Sequence, residues 1–365
     1  MAFRHQQGFE VSASTGGLQD DYETWVPVGT PTFVGGRLQG TALFVGQNVS
    51  ATFQTFALSS QGTWVVGIGN RGTDPGASGF TVIALLDTGG EQIRLDVIRG
   101  TTDTRNHIFK LMRGATLLAQ SVELNFDSWE YAELKVVLAT GATGSYSLKV
   151  NEVVVGATSG GTAGAFSESS VQTSNLGTAV ANKIKFGLAS ASALGWYLDD
   201  IYVVDGSGAI RNDFLGDYVI EGINPVTPDD TAEWSIFPAA PATHFDKVDD
   251  PNSGGNRHDA DATYAESPTD AQSDLYAMSD LVFITGNILC VTQKANVRLT
   301  SSGSRTVKFV YKDATPTTSL GTGIAITQTS FRPGIERIME QDPNTAADWT
   351  VARVNAGKMG LKTGP

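Results

Sequence analysis

The residues with the strongest claim to chemistry lie between Thr63 and Asp87. Gly67-Ile68-Gly69-Asn70-Arg71-Gly72 spells G-x-G-x-x-G after the apolar run Trp64-Val65-Val66, and Asp87 stands twenty positions beyond the first glycine. That is the wording of a dinucleotide-binding fingerprint, in which the glycines open a helix whose N-terminus holds a pyrophosphate. The helix must also carry the chain back to a parallel strand, a crossover of about a dozen residues. Here the seven residues Thr73 to Gly79, with one proline and two glycines, are all that precede the next strand pattern, Phe80 to Leu86. They cannot form a crossover helix. The spacing predicts a strand, a glycine-rich loop and a second, antiparallel strand, with no bound nucleotide.

Carboxylates come next. Glu123-Leu124-Asn125-Phe126-Asp127-Ser128 approaches the Glu-x-Asp-x-x-Glu strand of some glycosidases. Asparagine and serine replace its second and third carboxylates, and Glu123 alone does not supply the pair that hydrolysis requires. Asp199 and Asp200 are calcium-type ligands by chemistry. Neighbours in a strand point to opposite faces, so they are expected to fix nearby loops instead. The run from Asp259 and Asp261 to Asp270 mimics a calcium loop, but Tyr264 stands where that loop needs glycine, and no glutamate closes it. His5, His107, His244 and His258 are dispersed, without zinc spacing. No G-x-S-x-G elbow occurs, and the single cysteine, Cys290, sits in the apolar run Ile288 to Val291 as a small buried side chain. The expectation is therefore no catalytic, cofactor-binding or metal residues, no cofactor, and no disulfide.

The elements that would position these residues are strands. Ile93, Leu95 and Val97 alternate with Arg94 and Asp96. Leu134 and Val136 alternate with Glu133 and Lys135, Leu148 and Val150 with Lys149 and Asn151, and Val307, Phe309 and Tyr311 with Thr306 and Lys308. Period two over short runs, broken by Gly, Ser, Thr, Asp and Asn, predicts antiparallel sandwiches. One helix of about two turns is expected, Trp349 to Ala356. The texture changes after Asp205-Gly206-Ser207-Gly208, and 222–275 is polar with isolated aromatics such as Trp234, Phe237 and Phe245. Two domains are read, 1–208 and 209–365, the second with long polar loops.

The chain has 365 residues, a net charge of −13 and a pI near 4.7. No Lys/Arg run could displace counterions from a duplex, so nucleic acid and anionic membranes are excluded as expected partners. No apolar stretch reaches membrane-spanning length, and Met1 to Gln7 lacks a signal core. Synthesis and assembly in a cytoplasm are expected. The sequon Asn48-Val49-Ser50 has no consequence there.

Three groups of residues carry a resemblance. Gly35-Gly36-Arg37-Leu38-Gln39-Gly40-Thr41-Ala42-Leu43 is the first. Trp129 to Val136, followed by Gly144 to Asn151, is the second. Ile184-Lys185-Phe186-Gly187 with Trp196 to Val203 is the third. In this order they resemble the concanavalin A-like, laminin-G-type jelly roll over residues 8–205, although Glu152 stands where the family's hairpin turn has glycine. Asn212 to Asp217, Asp274-Leu275-Tyr276 and Asp342 to Thr350 add a likeness to structural proteins of tailed bacteriophages, in which a lectin-like jelly roll precedes a second β domain.

The resemblance implies a non-enzymatic virion protein, a fibre, spike or capsid or tail decoration. It would be all-β, a jelly-roll sandwich followed by a second β-sandwich with at most one short helix. Its partners would be other virion proteins and host cell-surface polysaccharide, with loop aromatics such as Trp234 available for stacking on sugars. A homo-oligomer, with a trimer favoured, follows by analogy. No coiled-coil heptads are present, so the β domains or the basic segment Trp349 to Leu361 would supply the contact, the latter against acidic Asp246 to Asp261 of a neighbour, unless that segment closes its own domain. The rival class is a glycan hydrolase of the same fold relying on Glu123.

Overall fold

The computed structural model describes residues 2–9, 22–38, 40–72, 74–125, 128–159, 162–192, 194–248, 262–313, 318–330 and 332–364. They fall into two compact units, 2–9 with 22–220, and 221–364. The first unit takes in 209–220, beyond the break in texture at Gly208, because those residues return to the face of its own sheet.

The first unit is a two-sheet antiparallel jelly roll. Its nine-stranded sheet runs Val153–Val154, Gly144–Val150, Glu130–Val137, Thr63–Gly72, Trp196–Asp205, Thr41–Val45, Thr32–Gly35. Phe3–Gln7 also pairs with Trp196–Asp205, and Ser167–Val171 with Gly144–Val150. The eight-stranded sheet runs Thr116–Gln120, Asn106–Arg113, Gly90–Arg99, Phe80–Asp87, Lys183–Ala189, Ser50–Gln54, Thr24–Val28, with Leu124–Asn125 also on Asn106–Arg113. Alternation does what period two predicts. Ile93, Leu95 and Val97 are fully buried, while Arg94 and Asp96 between them are not.

Register lines up the core. Phe53, Phe186, Ile83, Leu95 and Leu111 lie abreast across five strands, each with no exposed surface. Val66, Leu134 and Val203 do the same in the opposite sheet. Phe80 meets Trp196 edge-on, 4.9 Å between centroids, and ties sheet to sheet. Burying such side chains contributes about 1.5–3 kcal/mol each.

The glycine-rich segment departs from expectation. It is not a loop: the strand continues through all three glycines, paired as far as Asn70 with Glu130–Val137 on one side and as far as Gly72 with Trp196–Asp205 on the other. Nor do Thr63–Gly72 and Phe80–Asp87 form a hairpin, since they belong to different sheets.

The second unit has a six-stranded antiparallel sheet in the order Pro225–Ala232, Ser273–Met278, Lys358–Gly364, Arg305–Lys312, Thr318–Leu320, with Ile324–Ile326 also on Arg305–Lys312. The ribbon of Val291–Val297 and Arg332–Met339 supplies a second layer, with Ile335, Ala295 and Val297 packed on Val307, Phe309 and Ile326. Among the described residues there is one α-helix, Val351–Asn355, shorter than the span read from sequence. Thr350 caps it, accepting from the Arg353 N–H at 3.2 Å. Trp349 precedes it and donates its indole N–H to the Met339 carbonyl at 2.8 Å.

The segment Trp349 to Leu361 is spent within its own unit. Met359 and Leu361 lie in a strand paired on both edges, Lys358 and Lys312 share Asp230 at 2.8 and 2.7 Å, and Arg353 pairs with Asp313.

Candidate functional site

A set of acid, base and aromatic groups lies on the outer face of the nine-stranded sheet. It exists because Gly67 has no side chain. Glu133, Gly67 and Tyr202 lie abreast on three adjacent strands. A Cβ on Gly67 would sit 2.1 Å from Tyr202 Cε1 and 2.8 Å from Tyr131 Oη. The bare backbone lets both rings lie flat, stacked 6.3 Å apart at 20°. Gly69 does likewise for Arg37, whose Cδ would be 3.1 Å from a Cβ there. The glycines make room for side chains of this same chain.

Next to them the closing strand bulges. Asp199 pairs with Gly69 and Tyr202 with Gly67, so one extra residue is accommodated, and Asp200 takes φ +47°. Alternation had placed Asp199 and Asp200 on opposite faces. The bulge instead turns both toward Arg37. Asp199 Oδ2 accepts from the Arg37 backbone N–H at 2.8 Å, and Asp200 Oδ2 from its Nε at 3.0 Å. Arg37 also pairs with Asp217 and donates to the Tyr218 carbonyl at 2.6 Å, with its guanidinium 4.9 Å above the Tyr131 ring. Burial would lower the Arg37 pKa, but Asp200 and Asp217 hold it above its ordinary value. Burial pushes the Asp200 carboxyl up, against the pull of Arg37.

A strap, residues 213–220, lies over this face. Tyr202 donates its hydroxyl hydrogen to Glu133 Oε1, and the N–H groups of Leu215 and Gly216 donate to the same oxygen at 2.9 Å each. Lys135 binds Asp213 at 2.9 Å, and Lys149 sits 4.4 Å from the centre of the Phe214 ring. Asp200 Oδ1 accepts from the Ile220 N–H at 2.8 Å, and Tyr218 donates to Gln6 at 2.6 Å. Beneath it Tyr131, Glu133 and Tyr202 are at most 2% exposed. Glu133 Oε2 is buried with no hydrogen-bond partner among the described residues, and burial raises that carboxyl's pKa. Glu133, Tyr131, Tyr202 and Arg37 were not singled out from sequence. The signal available was the aromatic and acidic run Asp213-Phe214-Leu215-Gly216-Asp217-Tyr218, next to a strand whose glycines faced nothing.

The residues weighed from sequence are placed as follows. Glu123 is a loop clamp. Its carboxylate accepts from the N–H groups of Thr101 and Thr102 at 2.6 and 3.1 Å, both their hydroxyls, and Asn106 Nδ2 at 3.1 Å. These bonds, the Thr101 hydroxyl foremost, bring its pKa to about 2. Asp87 anchors a hairpin turn, accepting from the N–H groups of Gly89 and Gly90 at 2.6 and 3.0 Å. His5 meets the Tyr22 hydroxyl at 3.2 Å, His107 meets Glu130 at 3.5 Å in the core, and His244 meets Asp274 at 2.8 Å. Asp270 pairs with Arg305. Cys290 is buried, and the Trp234 side chain is half-buried. His258, Asp259 and Asp261 lie outside the described residues. Among the described residues no three His, Cys, Asp or Glu side chains converge to hold a metal ion, and no helix is long and apolar enough to cross a membrane.

No family model and no curated protein matches the chain. Similar solved structures include an endo-β-1,4-glucuronan lyase from the fungus Trichoderma reesei, 9% identical, covering 55% of this chain and 95% of that one, with a TM-score of 0.37. Domain 4 of AbnA, an extracellular GH43 arabinanase from Geobacillus stearothermophilus in complex with arabinotriose, is 10% identical over 56% and 92%, TM-score 0.36. The carbohydrate recognition domain of Emp47p is 9% identical over 51% and 90%, TM-score 0.34. Likeness at this level carries no activity or residue role across.

Proposed function

We propose that the chain is a non-enzymatic structural protein of a tailed-bacteriophage virion, a fibre, spike or capsid or tail decoration. It acts through its surfaces, by contact with other virion proteins and by attachment to host-surface glycan. The observation that carries the reading is the strap. An acid–base cluster on the jelly roll is covered by residues 213–220, and its carboxylates are bound to backbone N–H groups, Tyr202 and Arg37. A hydrolase needs a second carboxyl across the scissile bond and one group that can give up a proton. Glu123, the rival reading's residue, is held ionised in a turn. The order of sequence motifs supports the virion assignment, and the homo-oligomer belongs to the same proposal.

Two measurements test it together. Virions are imaged with this chain labelled, and host envelope polysaccharide is incubated with purified protein while reducing ends are counted. Label on the virion with no new reducing ends is expected. Reducing ends that disappear in Glu123→Gln would overturn the reading, as would virions without label.

A further inference from the structure

One row on the outer face of the nine-stranded sheet is not sealed as the strap-covered rows are. Phe44 pairs with Tyr197 and Tyr197 with Arg71, so three side chains leave the same face side by side. Trp129 comes abreast of Arg71, since Glu130 pairs with Asn70. The four converge on Tyr197. Its ring lies 4.7 Å from that of Phe44 and 5.8 Å from that of Trp129, and the Arg71 guanidinium stands 5.4 Å from its centre. Phe44, Tyr197 and Trp129 are half-buried and Arg71 is exposed, whereas Tyr131 and Tyr202 farther along the same face are sealed.

Arg71 sets this row apart from ordinary cross-strand packing. The chain carries 38 acidic against 25 basic residues. Arg4, Arg37, Arg94, Arg99, Arg305 and Arg353 each pair with a carboxylate, and Arg113, Arg298 and Arg337 donate to backbone carbonyls. Among the described residues the Arg71 side chain has no ion pair and no hydrogen bond; its guanidinium stands over the Tyr197 ring. A guanidinium against an aromatic face is held in place with its N–H edge free, a planar fork matched to a carboxylate. Beside the Tyr197 ring are Phe44 and Trp129, both partly exposed, whose negative faces suit the C–H face of a pyranose. Packing alone accounts for the rings but not for an unpaired arginine among them in an acidic protein.

We propose that Phe44, Tyr197, Arg71 and Trp129 form a subsite for an acidic sugar residue. The pyranose packs on the rings and its carboxylate is taken by Arg71. This rests on the reading that the protein touches host glycan, and it names the class as acidic. The net charge of −13 repels an anionic chain at a distance, so the attraction is a contact effect and each site is weak. Repetition of the site over many copies would supply avidity.

The full chain is titrated calorimetrically with tetragalacturonate, with galactotetraose, and with inorganic phosphate. Tetragalacturonate is expected to bind, more weakly as salt rises, and galactotetraose to bind at least tenfold more weakly. Arg71→Gln should lower tetragalacturonate affinity about tenfold or more, Arg71→Lys less, and Trp129→Ala about as much as Arg71→Gln. Arg71 is exposed, and an unchanged melting curve for Arg71→Gln verifies its fold. Equal affinity in Arg71→Gln, equal affinity for galactotetraose, displacement by equimolar phosphate, or no binding to any probe would each overturn the proposal. Failure here with label still on the virion leaves the structural reading standing. Binding here with unlabelled virions keeps the site and removes that reading.

Discussion

Glu133 and Tyr202 meet over Gly67: the tyrosine hydroxyl donates to Glu133 Oε1 across a strand that has no side chain at that point. The first glycine of the G-x-G-x-x-G sequence is thus accounted for by the two groups on either side of it.

Gly67→Ala should therefore destabilise the first unit, by about 1–3 kcal/mol for an overpacked methyl. Chemical denaturation measures it. The cost should shrink sharply in a Tyr202→Ala background, where the ring 2.1 Å from the new Cβ is gone. Additive costs would contradict the geometry. Calorimetry with NAD, FAD and ATP should be flat for the wild type.

Tyr202→Phe keeps the ring and removes one donor from Glu133 Oε1, leaving the N–H groups of Leu215 and Gly216. A loss of about 1–2 kcal/mol is expected. Hydrogen exchange should rise first at Leu215 and Gly216. Uniform exchange across the unit would mean that the strap has no separate opening.

Arg37→Met should cost more, about 3–5 kcal/mol, because it strands the buried Asp200 carboxylate, while the backbone N–H that Asp199 accepts from remains. Adding Asp200→Asn should recover part of that loss. A melt in which the second substitution only worsens the first would show that charge is not the cause.

Glu130 gives a pH dependence. Burial raises its pKa to about 8 from an ordinary 4.5. Between those values the folded state keeps a proton that the unfolded state has released. Its contribution is thus full below about pH 4.5 and lost as pH rises toward 8, by at most about 1.4 kcal/mol per unit. Burial holds His107 well below its ordinary value, so acid protonates the unfolded imidazole first and stability also falls below about pH 6.5. Glu130→Gln should melt higher than wild type at pH 8 and close to it at pH 5. A constant difference at both pH values would remove Glu130 as the source.

The sandwich was legible because its period-two runs are local: Ile93, Leu95 and Val97 announce their burial without knowledge of partners. The nucleotide reading fell to an equally local measure, the seven-residue gap. What misled was also local reasoning. Glycines read as a loop because glycine weakens an isolated strand, yet here it is selected by rings on neighbouring strands. Asp199 and Asp200 were assigned to opposite faces by a rule that one inserted residue suspends. The strap was placed with the second half because nothing in its own residues reports that its hydrogen-bond partners lie about eighty residues earlier, at Glu133.

The strap also bears on how the protein is made. A nascent chain completes the last strand of the jelly roll at Asp205, but the rings and carboxylates around Gly67 stay wet until Ile220 has been added. At ribosomal speeds of roughly 5–20 residues per second, that leaves a gap on the order of one to three seconds. Recombinant fragments meet the same condition permanently. One ending at Asp205 would contain all the first unit's strands and still display a bare, adhesive sheet, so a soluble version has to be cut after the strap and not after the last strand.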